Sequence, residues 1–108
     1  MPTIYKVLGQ VHVAAITNTT LYTVPAATSA VCSTISICNM GTSTTYRIAV
    51  RPAGATIADQ HYLVYEAAIN SYDTAMLTIG VTLAATDVIT VYAGTADVTF
   101  QVYGSEIT

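Results

Sequence analysis

Tyr46-Arg47-Ile48-Ala49-Val50-Arg51 alternates between two kinds of side chain, and that alternation decides the fold class. Successive side chains of an extended strand point to opposite faces, so Tyr46, Ile48 and Val50 form one face and Arg47, Ala49 and Arg51 the other. The apolar set belongs to a core, and the second set places two guanidiniums on one side of the strand. Val98-Thr99-Phe100-Gln101-Val102-Tyr103 repeats the pattern late in the chain, with Val98, Phe100 and Val102 facing inward. No stretch sustains the period of an amphipathic helix.

Working outward, strands are expected near Tyr5–Gln10, His12–Ile16, Leu21–Val24, Ala30–Cys38, Thr45–Arg51, His61–Ala67, Thr74–Ile79, Val88–Ala93 and Val98–Tyr103. Between them lie turn-forming clusters such as Asn18-Thr19-Thr20, Asn39-Met40-Gly41-Thr42 and Asn70-Ser71-Tyr72-Asp73, in which Gly and Asn tolerate positive φ and Asn or Asp side chains close local turns. Asp87 and Asp97 each precede a strand and suit turn closure. The similarity of Thr86–Val91 to Ala96–Gln101 suggests two strands of one hairpin. Two packed sheets with polar outer faces account for the pattern. The expected fold is all-β: a single-domain β-sandwich spanning residues 1–108, immunoglobulin-like or jelly-roll, with a closed β-barrel as the alternative. The Cys and Trp landmarks of immunoglobulin domains are absent.

Only three residues are basic and six acidic in a chain of 108, and no formal charge occurs from Val7 to Tyr46 when His12 is neutral. Isolated domains usually blunt sheet edges with charge or Pro, so this depletion points to edges and faces covered by other subunits. A net charge of −3 gives no footprint for nucleic acid. No apolar run reaches the roughly 18 residues that a spanning helix needs, and the strands fall short of an outer-membrane barrel's. The start MPTIYKVLGQ lacks a basic region followed by an apolar one, so synthesis without export is expected. Cys32 and Cys38, read in one strand, would be roughly 20 Å apart, beyond disulfide reach. They are expected as free, small, buried hydrophobes.

Candidate chemistry is sparse. No nucleophile elbow or glycine-rich phosphate loop occurs, and there are only two histidines. Asp59 and His61, in the long connection Arg51–Tyr62, make at most two metal ligands and fit a hydrogen-bonded loop better. Nothing in the sequence selects Glu66 and Asp73 as an acid–base pair. No catalytic, cofactor or metal residues are therefore assigned, and no enzyme activity is expected. Eight tyrosines and no tryptophan leave room for a glycan-binding face, although Tyr22, Tyr46, Tyr62, Tyr65, Tyr92 and Tyr103 lie in strands where packing alone accounts for them.

The run Asn18-Thr19-Thr20-Leu21-Tyr22-Thr23-Val24-Pro25-Ala26, then Ile37-Cys38-Asn39 and Tyr46-Arg47-Ile48-Ala49-Val50-Arg51-Pro52, resembles small virion structural proteins of tailed bacteriophages, including cyanophages. The likeness continues through His61-Tyr62, Asp73-Thr74, Leu77-Thr78-Ile79-Gly80, Asp87-Val88-Ile89-Thr90-Val91-Tyr92 and Gly104-Ser105-Glu106-Ile107, and covers most of the chain. Cys38 and Met40 depart from the pattern. The resemblance implies a non-enzymatic particle component located in the virion and assembled in the host cytoplasm. A capsid decoration or cement protein is the first expectation; a tail, neck, baseplate or fibre subunit is the second, and a glycan-binding receptor module the third. Partners would be further copies of the chain, a trimer by preference, and the major capsid protein or tail proteins. Arg47 and Arg51 are the expected subunit-contact residues, able to bind a neighbour's carboxylates bidentately.

Overall fold

The computed structural model describes residues 2–108. Among these residues eight strands form: β1 (Thr3–His12), β2 (Thr19–Thr23), β3 (Ser29–Asn39), β4 (Thr44–Arg51), β5 (Tyr62–Ile69), β6 (Thr74–Leu83), β7 (Val88–Ala93) and β8 (Val98–Ile107). They build two four-stranded sheets, ordered β1-β8-β3-β6 and β2-β7-β4-β5, and every pairing is antiparallel. Only β4 and β5 are consecutive strands within one sheet; every other connection crosses to the opposite sheet. Two open sheets rule out the closed barrel, and this winding is that of a jelly roll rather than an immunoglobulin sandwich.

The sandwich is held by the inward faces. Phe100, Ile35 and Ile37 from the first sheet meet Ile48, Ile89 and Val91 from the second, all with no measurable exposure. Tyr46 on β4 meets Phe100 on β8 edge-on, with ring centroids 6.3 Å apart, so the two alternating segments that reveal the fold interlock across the core. At one end Tyr22 of β2 donates a 2.5 Å hydrogen bond to the Glu106 carboxylate of β8, which also pairs with Lys6 of β1 at 2.9 Å. Elsewhere Asn39, 1% exposed, has its amide satisfied on both sides: Nδ2 donates to the carbonyls of Thr42 (2.8 Å) and Asn70 (3.0 Å), and Oδ1 accepts from the Gly41 N–H (3.0 Å). This one side chain fastens the β3–β4 and β5–β6 connections together.

Several expectations are corrected. His12–Ile16 is not a strand: His12 ends β1, Val13 turns into the core at 2% exposure, and Ile16 takes a positive φ of 55° as the chain crosses to the second sheet. β7 and β8 are no hairpin, because they lie in different sheets. β6 and β8 run past Ile79 and Tyr103: Gly80 lies in a bulge of β6, and Gly104 is paired within β8 with Lys6 on one side and Cys32 on the other, beside the Ser33 bulge of β3. Gly80 supplies the positive φ of 59° in the β6 bulge. The bulge at Ser33 shifts the side-chain alternation of β3, so Cys32 points inward and is buried whereas Cys38 points outward and is half-exposed. Both are free thiols. Asp87 does close its turn, accepting from the Ala84 N–H (2.9 Å), and also reaches the Ala53 N–H (2.9 Å).

Candidate functional site

The two outer faces differ in chemistry. In the first sheet the strand register stacks the outward residues into five rungs: Thr3-Ile107-Ser29, Tyr5-Ser105-Val31-Thr82, Val7-Tyr103-Thr34-Thr78, Gln10-Gln101-Ser36-Met76 and His12-Thr99-Cys38-Thr74. None of these residues is Asp, Glu, Lys or Arg. Apolar groups stand exposed among the hydroxyls, with Tyr5 at 82%, Met76 at 62% and Val7 at 47%. An open groove of about 590 Å³ runs between Tyr5, Val7, Val31 and Tyr103. Lys6 alternates to the other side, where Glu106 takes its charge.

That face is large. Four strands about 4.8 Å apart and some ten residues long at about 3.3 Å each give roughly 600 Å² in projection. A stable interface takes about 800 Å² of accessible surface from each partner, so the face is of the right scale to bury against another protein. Uncharged hydroxyl and amide groups are also cheaper to desolvate than ions.

The second sheet carries the charges. Arg47 and Arg51 share its outer face, with Ala49 between them. The structure gives each an intramolecular partner. Arg47 pairs with Glu66 at 3.1 Å and lies between two rings, its guanidinium carbon 4.5 Å from the Tyr65 centroid and 4.1 Å from that of Tyr92. Arg51 donates from Nε to the Thr90 hydroxyl (3.0 Å) and from Nη1 to the Ala55 carbonyl (3.1 Å). A bulge opposite Arg47 makes the first arrangement possible: β5 places both Tyr65 and Glu66 across from it, and Glu66 adopts a φ of 54° to do so. The hydrogen bond from Arg47, with a second from the Thr45 hydroxyl (3.0 Å), holds the Glu66 carboxyl below the usual carboxylate range. Glu66 was not legible as the partner, because pairing Arg47 with it requires the register of that bulge.

The remaining candidates disperse. Asp59 and His61 lie in one 3-10 turn, where the His61 Nδ1 accepts the Ala58 N–H (3.0 Å), and no group of three or more potential metal-ligating side chains gathers among the described residues. Glu66 is committed to Arg47, while Asp73 accepts the Thr74 N–H (2.8 Å). Of the tyrosines, Tyr22 and Tyr46 belong to the core at 7% and 4% exposure. Tyr62, Tyr65 and Tyr92 gather on the outer side of the second sheet, and there Asp59, Tyr62 and Tyr65 line a recess of about 360 Å³. Among the described residues no helix is long and apolar enough to cross a membrane. Comparison of this chain with protein-family models, with curated proteins and with solved structures finds no match.

Proposed function

We propose that the chain is a non-enzymatic structural subunit of a tailed-phage virion, a capsid decoration or cement protein whose uncharged sheet face is covered in the assembled particle. The observation that carries this reading is the distribution of charge. Five consecutive rungs across β1, β8, β3 and β6 lack any formal charge while exposing Tyr5, Val7 and Met76. A face of this kind costs little to desolvate and gains from apolar burial, whereas a freely soluble domain normally spreads ionic groups over such a surface. The occupant is a further copy of the chain, in a closed ring with three subunits by preference, seated on the major capsid protein. The jelly-roll winding agrees with this by analogy of fold alone, since jelly rolls serve capsids and lectins alike. The likeness of the sequence to small virion proteins supports the same reading.

Mass spectrometry of purified particles carrying this gene tests the proposal. A cement protein is present in a fixed ratio to the major capsid protein and remains on tailless heads. Presence only in the tail fraction would move the subunit to tail, neck or baseplate, and absence from both fractions would overturn the reading.

A further inference from the structure

We propose that the recess formed by Asp59, Tyr62 and Tyr65 on the opposite face binds a neutral saccharide ring. This goes beyond the structural role, and concerns the face that assembly through the uncharged rungs leaves open. The two rings stand nearly perpendicular, 81° apart with centroids 4.9 Å from each other, and so form a corner rather than a flat stack. Tyr65 is 59% exposed, which is a large apolar ring held toward solvent. Asp59 adds a carboxylate to the lining, and neither ion pair among the described residues uses it.

The chemistry selects the ligand class. A carboxylate only accepts hydrogen bonds, so its natural partner is a donor-rich group, and an aromatic corner asks for an apolar C–H surface beside those donors. A pyranose presents both. A cationic ligand would also suit a carboxylate beside rings, but the Arg47 guanidinium already stands 4.5 Å from the Tyr65 centroid, and a second cation on that ring would meet its repulsion. An anionic ligand would meet Asp59. The site is also ordered in advance: Glu66 and Tyr92 hold Arg47, which holds Tyr65, and the Ala58–His61 bond fixes the turn that carries Asp59. Binding therefore orders few side chains, which reduces its entropic cost. The volume of about 360 Å³ falls within the ordinary range for ligand pockets.

The test is a nuclear magnetic resonance titration of the intact protein with glucose, cellohexaose, maltohexaose and mannohexaose, with hexalysine as the cationic control. At least one saccharide should shift the Tyr62 and Tyr65 ring signals saturably, with a dissociation constant of about 10 mM or tighter. Tyr65→Ala and, separately, Asp59→Asn should each weaken that binding about tenfold while leaving sedimentation unchanged. Equal affinity for glucose identifies a free sugar as sufficient, and binding of a hexaose alone identifies a polymer chain; either supports the site. Overturning results are no saturable shift with any of the four saccharides, a response to hexalysine in their place, or affinity unaltered in both variants. Because the titration reads the isolated protein, its failure would leave the virion assignment standing, and the reverse also holds.

Discussion

Replacing Asn39 probes the winding of the fold at the point where two crossings between the sheets are tied together. Its amide makes three hydrogen bonds at 1% exposure, to Thr42, Asn70 and Gly41. At about 1 kcal/mol net for each bond, Asn39→Ala should cost about 3 kcal/mol. That is a large share of the roughly 5–15 kcal/mol that stabilises a domain, and it should lower Tm by roughly 10–20 °C. Asn39→Asp is the sharper substitution. It retains an acceptor for the Gly41 N–H but turns a second oxygen toward two carbonyl oxygens in a buried site, so at pH 7 it should be less stable than the alanine variant. Burial and the facing carbonyls raise that new carboxyl's folded pKa above its unfolded value, so the aspartate variant should regain stability as pH falls through this raised pKa. Urea unfolding followed by circular dichroism at pH 7 and at pH 4 measures all three proteins. An alanine variant within about 0.5 kcal/mol of the parent, or an aspartate variant more stable than it at pH 7, would refute the reasoning.

Two further predictions concern titratable groups. The hydrogen bond from Tyr22, reinforced by Lys6, holds the Glu106 carboxyl below its ordinary range, so its contribution is present above the unfolded pKa of about 4.3 and is lost as pH falls through the lowered folded pKa. The stability gap between the parent and Glu106→Gln should therefore be widest near pH 7 and close as pH falls through the lowered folded pKa in denaturant titrations; a constant gap would contradict it. For the thiols, burial pushes Cys32 up to about 11 and shields it, while Cys38 faces outward. A thiol reagent at pH 8 should modify Cys38 in the folded monomer that Ser36→Glu is expected to give, and both cysteines only after unfolding; rapid modification of Cys32 in the folded chain would contradict its inward placement by the Ser33 bulge.

The alternation of Tyr46, Ile48 and Val50 against Arg47, Ala49 and Arg51 was sufficient to read strand, core face and the shared side of the two arginines, because period-two patterning is local. What depends on non-local pairing was hidden. Gly80 and Gly104 read as strand ends, yet neighbouring strands carry the chain through both, at Gly80 as a bulge and at Gly104 as a paired position beside the Ser33 bulge of β3. Ala93-Gly94-Thr95-Ala96-Asp97 suits a hairpin as well as a crossing between sheets, and only the rest of the sandwich decides between them. The charge-free run from Val7 to Tyr46 pointed to a covered surface, but it supplies only part of the neutral face. Thr3, Tyr5 and the whole contribution of β6 and β8 lie outside that run and join it through register. The Tyr65–Arg47–Tyr92 stack with Glu66 depends likewise on the bulge in β5.

The claim that the uncharged face is an assembly surface is tested most directly by sedimentation velocity on the parent chain and on Ser36→Glu. Ser36 lies on the outward side of β3, inside the sheet rather than at its edge, so a carboxylate there is solvated in a monomer but buried in an interface. Like charges brought together in an interface cost several kcal/mol, enough to dissociate an oligomer of ordinary affinity. Thr20→Glu, on the exposed side of β2 in the other sheet, is the control. The parent and Thr20→Glu should sediment as the same closed oligomer, a trimer by preference, and Ser36→Glu as a folded monomer with an unchanged circular dichroism spectrum. A parent that stays monomeric at every concentration and is absent from purified particles would contradict the account, as would a Ser36→Glu protein that assembles like the parent.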